Sequence, residues 1–116
     1  MDYDLSDAAK KVIRFRDERD WKQFHNPKDT AISLMLEAAE FLEHFQWKNE
    51  KEVEQHLKEH KEDVSDELAD ILYWVLLIAN DLGISPAEAI EKKLSKNAEK
   101  YPVSKAKGSH AKYTEL

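Results

Sequence analysis

The stretch Ile71–Ala79, ILYWVLLIA, carries no charged side chain and is apolar on every side of a helical projection. A segment of that kind is stable as the central buried helix of an all-α protein. Glu67 and Asp70 stand immediately before it. Taking 100° per residue from Glu67, the same face continues through Ile71, Trp74 and Ile78, so the two carboxylates are expected to extend a buried stripe and not to point to water. A second apolar helical stretch, from about Pro27 to Phe45, places Ala31, Leu34, Met35, Ala38, Phe41, Leu42 and Phe45 on one stripe. It too holds an acidic pair, Glu37-x-x-Glu40, with Glu37 at the edge of the stripe and Glu40 one step further round.

Residues three apart on a helix are neighbours, so each pair offers two carboxylates about 5–6 Å apart at Cβ. Spacing alone does not single them out, because Asp17/Asp20, Glu59/Glu62, Asp63/Asp66 and Glu88/Glu91 share it and read as solvated faces. What distinguishes Glu67 and Asp70 is their expected burial, since an unpaired buried carboxylate costs several kcal/mol or takes up a partner. A basic side chain is one such partner and a metal ion the other. An all-oxygen ligand set suits Mg²⁺ or Mn²⁺. His44 falls between Glu37 and Glu40 in projection, but the Glu-x-x-His spacing of a di-iron bundle occurs nowhere in the chain, and His44 reads as a partly covered helix residue.

Other boundaries follow from local signals. A first helix is expected from about Ser6, as N-cap, to about Asp20, and the aromatic corner Trp21–His25 leads into the helix start Asn26-Pro27-Lys28-Asp29. Residues 47–61 are very polar and read as a connector, with Lys51–Glu59 a short solvated helix or a loop. The central helix is expected from about Glu62 to Leu82, closed by Gly83 at C′. Ser85-Pro86-Ala87-Glu88 then opens a last helix with a capping box, running to about Lys100 before Pro102. This gives an all-α helical bundle of four to five helices over residues 1–102 and a polar C-terminal tail over 103–116.

The 116 residues suffice for one domain, yet a small chain with three tryptophans and an all-round apolar helix is expected to leave apolar surface for self-association. A net charge of −6 argues against duplex nucleic acid or an anionic membrane as the main partner. No cysteine is present, which excludes disulfides, zinc–thiolate sites and thiol nucleophiles. No apolar run approaches a membrane span, and Met1-Asp2-Tyr3-Asp4 is unlike a secretory signal, so a cytoplasmic location is expected. Gly-rich phosphate loops, nucleophile elbows and HExxH motifs are missing. On residue patterns alone Trp47 and Trp74 are core or interface residues or an aromatic box for a nucleobase, His25 is an ordinary loop residue, and Lys93 and Asn97 are a surface pair.

Glu37-x-x-Glu40 followed by Glu67-x-x-Asp70 on an all-helical chain resembles the MazG-like all-α nucleoside triphosphate pyrophosphohydrolases. Glu18-Arg19-Asp20-Trp21, Gln23-Phe24-His25, Phe45-Gln46-Trp47-Lys48, Tyr101-Pro102 and Lys112-Tyr113-Thr114-Glu115-Leu116 are similar to its dCTP pyrophosphatase branch. The resemblance runs from about Val12 to the last residue. It implies a Mg²⁺-dependent hydrolase that cleaves a dNTP to dNMP and pyrophosphate in nucleotide-pool housekeeping, with dCTP or a C5-modified dCTP as substrate. It further implies that Glu37, Glu40, Glu67 and Asp70 hold the metal and that Glu40 orients or deprotonates the attacking water. Trp21, His25, Trp47 and Trp74 would enclose the base, and Lys93, Asn97 and Tyr101 would contact phosphates or sugar. A homodimer or homotetramer with pockets lined by more than one chain is implied as well. The branch carries tyrosine where this chain has Trp74, with Tyr73 beside it, which leaves dUTP or a damaged purine triphosphate open as substrate. The rival from another class is a non-catalytic acidic helical scaffold.

Overall fold

Asp4 starts the first helix by accepting a hydrogen bond from the Asp7 backbone N–H at 2.9 Å, while the Asp7 carboxylate accepts from the Asp4 N–H at 3.2 Å. This reciprocal box displaces Ser6, the expected N-cap, because a carboxylate pair satisfies two orphan donors where a lone hydroxyl satisfies one. The computed structural model describes residues 3–116, and among them every regular element is helical: α1 (Leu5–Glu18), α2 (Pro27–Glu43), α3 (Glu50–Glu59), α4 (Lys61–Asp81), α5 (Pro86–Lys100) and α6 (Val103–Ala106). Single 3₁₀ turns occur at Lys22–Phe24 and Tyr113–Glu115. The chain divides into two compact units, the first ending at Gly83 and the second spanning Ile84–Leu116.

In the first unit α4 is the hub, paired most extensively with α2 and flanked by α1 and α3. α1 stops at Glu18, two residues earlier than expected, because the chain turns at Asp20 with φ +54°. Asn26 then caps α2 through the Asp29 N–H, with Pro27 at N1, and the buried Thr30 hydroxyl donates to the Asn26 carbonyl at 2.9 Å. The polar connector resolves into a helix: Asn49 and Glu52 form a second reciprocal box that opens α3. His60 alone separates α3 from α4. Gly83 takes φ +69° after α4, as its place in the sequence requires.

The expected all-round burial of Ile71–Ala79 is not met within one chain. Leu76, Leu77 and Ala79 are buried, but Leu72 and Val75 are exposed, as are Leu68 on the same helix and Ile32, Met35 and Leu36 on α2. Helical projection reports which faces are apolar; it does not report which molecule covers them. Asp70 is likewise exposed, against its expected burial, and Glu67 is half-buried where burial was expected. No single described helix is long and apolar enough to cross a membrane.

In the second unit Ser85 accepts from the Glu88 N–H at 3.3 Å and opens α5. The residues expected as a polar tail carry structure of their own. α6 follows Pro102, and Tyr113 sets its ring edge-on to Tyr101 at 5.9 Å with the Lys100 ammonium 4.9 Å from its ring centre.

Candidate active site

α2 and α4 pack with their acidic pairs facing each other. Glu37 from α2 and Glu67 and Asp70 from α4 each bring one carboxylate oxygen within 4.8 Å of the others. Glu40 stands outside this trio but acts electrostatically on both Glu37 and Glu67. Burial, with Asp70 and Glu40 alongside, pushes the Glu37 carboxyl up from an ordinary 4.5 to about 7. Glu67 is raised as well, first by burial and then by Glu40.

Glu37 Oε2 and Glu67 Oε2 are buried without a hydrogen-bond partner. Among the described residues no lysine, arginine or histidine forms an ion pair with any of the four carboxylates. The basic-side-chain alternative is therefore not the one the fold uses. Orphaned hard oxygens converging without a counter-charge are the donor set that a divalent cation satisfies.

A cleft of about 730 Å³ opens beside the acidic trio, with Glu37 and Asp70 in its wall together with Trp21, Phe15, Tyr73 and Trp74. Its aromatic lining is interlocked: Phe15 meets Trp21 edge-on at 5.8 Å and Tyr73 at 6.2 Å, and Tyr73 meets Trp74 at 5.2 Å. The volume and the mixture of π-faces with a few carboxylates suit a small, flat, charged ligand. Phe15 and Lys11 are wall residues that the sequence did not single out. Their α1 spacing with Ala8 and Val12 was the available signal. Trp21 and Trp74 both line this cleft.

His25 lines a separate cavity of about 340 Å³ and touches the cleft only through Trp74, whose ring it meets edge-on at 5.4 Å. Its Nδ1 is buried and unpartnered, and burial, reinforced by the Arg16 charge, holds its pKa below the ordinary value. Trp47 lines neither cavity. It is 91 % exposed, and its backbone is left-handed at φ +66°. Lys93, Asn97 and Tyr101 recur every fourth residue along α5 and its cap in the second unit, and the Tyr101 N–H donates to the Asn97 carbonyl at 2.8 Å. His44 is half-buried as expected.

Residues 32–116 match the model of the MazG-like family. The chain belongs to that family. Among relatives, it is 34% identical over 114 residues to dCTP pyrophosphatase 1 of Rattus norvegicus, covering 97% of this chain and 67% of that protein. It is 32% identical over the same length to dCTP pyrophosphatase 1 of Homo sapiens, at 97% and 67% coverage. The crystal structure of a pyrophosphatase from Archaeoglobus fulgidus superposes with a TM-score of 0.80 at 36% identity, over 88% of this chain and 95% of that one. The expected all-α MazG-like architecture is thus the observed one, and the α2–α4 acidic pairs lie within residues 32–116, which carry the family match.

Proposed function

We propose that this MazG-like chain is a Mg²⁺-dependent nucleoside triphosphate pyrophosphohydrolase, converting dCTP or a C5-modified dCTP to the dNMP and pyrophosphate. One observation carries the reading: Glu37 and Asp70 belong at once to the acidic trio and to the wall of the aromatic cleft. A nucleotide lying there meets π-faces with its base and the cation-demanding cluster with its phosphates. The names of the relatives support cytosine as that base.

Glu37, Glu67 and Asp70, with Glu40 beside them, would hold Mg²⁺ or Mn²⁺. Such an ion, when bound, neutralises phosphate charge and lowers the pKa of water. Glu40, exposed and adjacent to Glu37 and Glu67, is assigned to orient the attacking water and accept its proton. The water oxygen bonds to the α-phosphorus as the bond to the α–β bridging oxygen breaks, and pyrophosphate leaves with that electron pair. His25, held neutral, fixes the plane of Trp74 against the base. A cation, an amide and a phenol on one face suit Lys93, Asn97 and Tyr101 to phosphate and sugar. Trp47, presented almost wholly to solvent, is assigned to the base pocket of a neighbouring copy in a homodimer or homotetramer. The proposed setting is nucleotide-pool housekeeping in the cytoplasm.

The deciding experiment incubates the protein and Mg²⁺ with a panel of canonical and C5-modified dNTPs and quantifies both pyrophosphate and orthophosphate. Pyrophosphate release, greatest with a cytosine nucleotide, is expected. Orthophosphate release would make the chain a phosphatase, and inactivity on every nucleotide would favour the scaffold.

A further inference from the structure

Three of the chain's five histidines meet where α2, α3 and α4 join, away from the nucleotide cleft. His44 closes α2, His56 lies on α3, and His60 is the single residue between α3 and α4. His44 Nδ1 lies 2.8 Å from His56 Nε2, with ring centres 5.1 Å apart. His56 and His60 stack with centres 4.4 Å apart and planes inclined by 27°.

This row has no structural motive in hydrophobic packing, since His60 is exposed and the rings are polar. Nor is it an ordinary ion-pair network. The nearest acidic contact to the row is Asp63 Oδ2, 3.4 Å from His60 Nδ1, and neither His44 nor His56 forms an ion pair among the described residues. Three protonated rings here would repel one another, and His56 is in fact held toward its neutral form, first by burial and then by His60, Lys48 and His44, against Glu59. Neutral imidazoles present nitrogen lone pairs at physiological pH.

We propose that His44, His56 and His60 form a second cation site, for a divalent transition metal of the Zn²⁺, Ni²⁺ or Cu²⁺ class, independent of the carboxylate cluster. Two imidazole nitrogens on one such ion, each at about 2.0–2.1 Å, stand about 2.8–3.4 Å apart for angles between square and tetrahedral. The observed 2.8 Å separation lies at the short end of that range. The two nitrogens now share one proton in an N–H···N bond. Loading requires the donor ring to move that proton to its other nitrogen and each ring to turn until both lone pairs aim at one point. His60, four residues after His56 and exposed, does not yet converge with the other two, and would have to leave its 3.4 Å contact with Asp63 and rotate to supply a third nitrogen. Imidazole selects for these metals as carboxylate selects for Mg²⁺ and Mn²⁺, so the two sites discriminate by ligand chemistry. Lys48 opposes a cation here and Glu59 favours one. An ion at this junction would clip the end of α2 to the α3–α4 break.

The test uses tag-free protein saturated with Mg²⁺, titrated with Zn²⁺ by calorimetry, and loaded with one equivalent of Cu²⁺ for electron paramagnetic resonance. The expected results are one Zn²⁺ bound at micromolar affinity and nitrogen hyperfine structure from more than one imidazole. His56→Gln should weaken Zn²⁺ by about tenfold or more, and the exposed His60→Ala, which leaves the fold alone, by a smaller factor. Pyrophosphate release with Mg²⁺ need not change in either variant, so failure of this site and failure of the nucleotide reading are separable. Absence of Zn²⁺ binding would overturn the proposal. So would Zn²⁺ affinity that responds to Glu67→Gln and ignores both histidine variants, since the ion would then sit among the carboxylates.

Discussion

Arg16 gives a single guanidinium nitrogen, Nη1, to both carboxylate oxygens of Asp81, at 2.9 and 2.8 Å, and so ties α1 to the last turn of α4. Arg16 is 1 % exposed, and its carbonyl accepts the Trp21 N–H at 3.2 Å. One residue therefore fixes both the aromatic corner and the end of the hub helix. Asp81→Asn leaves the buried Arg16 charge with only the longer Asp17 contact at 3.6 Å and is expected to cost about 3 kcal/mol in urea unfolding, whereas Arg16→Met strands a carboxylate that reaches solvent and should cost less. Arg16→Met combined with Asp81→Leu should recover most of that loss, because an apolar pair of similar volume carries no desolvation penalty. A double variant no more stable than the singles would show that the pair is needed for more than charge balance.

The metal-free protein should lose stability as pH rises. Glu37 binds its proton with a folded pKa of about 7 against an ordinary 4.5, and Glu67 is shifted the same way. A raised carboxyl pKa contributes stability that is fully present below the unfolded value and is lost as pH climbs through the folded one. In EDTA, the urea midpoint is thus expected to fall between about pH 5 and pH 8, and Glu37→Gln should flatten that slope. Mg²⁺ should reverse the trend at the upper end, adding about 2.7 kcal/mol at a hundredfold excess over Kd. A pH-independent midpoint in EDTA would contradict the burial of these carboxylates.

Trp47 holds a left-handed backbone with almost no contact to repay it. Replacing it by glycine should raise the unfolding free energy of the isolated chain by about 1 kcal/mol. The same change should raise KM for the best nucleotide while leaving kcat nearly intact, since base stacking is worth about 1–3 kcal/mol. If Trp47→Gly destabilised the chain and left KM alone, its assignment to a base pocket would fall.

The exposed apolar side chains Met35 and Leu36 on α2 and Leu68 and Val75 on α4 lead to a mass prediction. Light scattering at micromolar concentration should report at least twice the monomer mass, and Leu68→Glu, outside the cleft wall, should return it to the monomer. Mixing Glu40→Gln subunits with Lys93→Ala subunits should restore part of the activity if pockets are shared between copies. A fully active, monodisperse monomer would refute that arrangement.

The sequence displayed what is locally encoded. Pro27 after Asn26, Gly83, and Ser85-Pro86 mark helix ends by chemistry that acts within four residues, and the structure places those ends where the residues do. The carboxylate pairs were legible for the same reason, because helical spacing alone brings each pair to one face. α3 was half hidden, since its polar composition reads equally as loop and only the Asn49–Glu52 box decides. Longer-range relations left no such mark. Arg16 and Asp81 are 65 residues apart, Phe15 reaches the cleft only because α1 packs on α4, and the His44–His56 bond depends on where α3 folds back.

Leu76, Leu77 and Ala79 are the buried apolar side chains among the described residues, and so small a core leaves folding and the proposed self-association to draw on the same exposed surface. If copies assemble through that surface as proposed, dilution would act on the chain as a denaturant does. Specific activity should not be constant but should decline below a threshold protein concentration, so that the amount of protein present governs whether each copy works, before any substrate is considered.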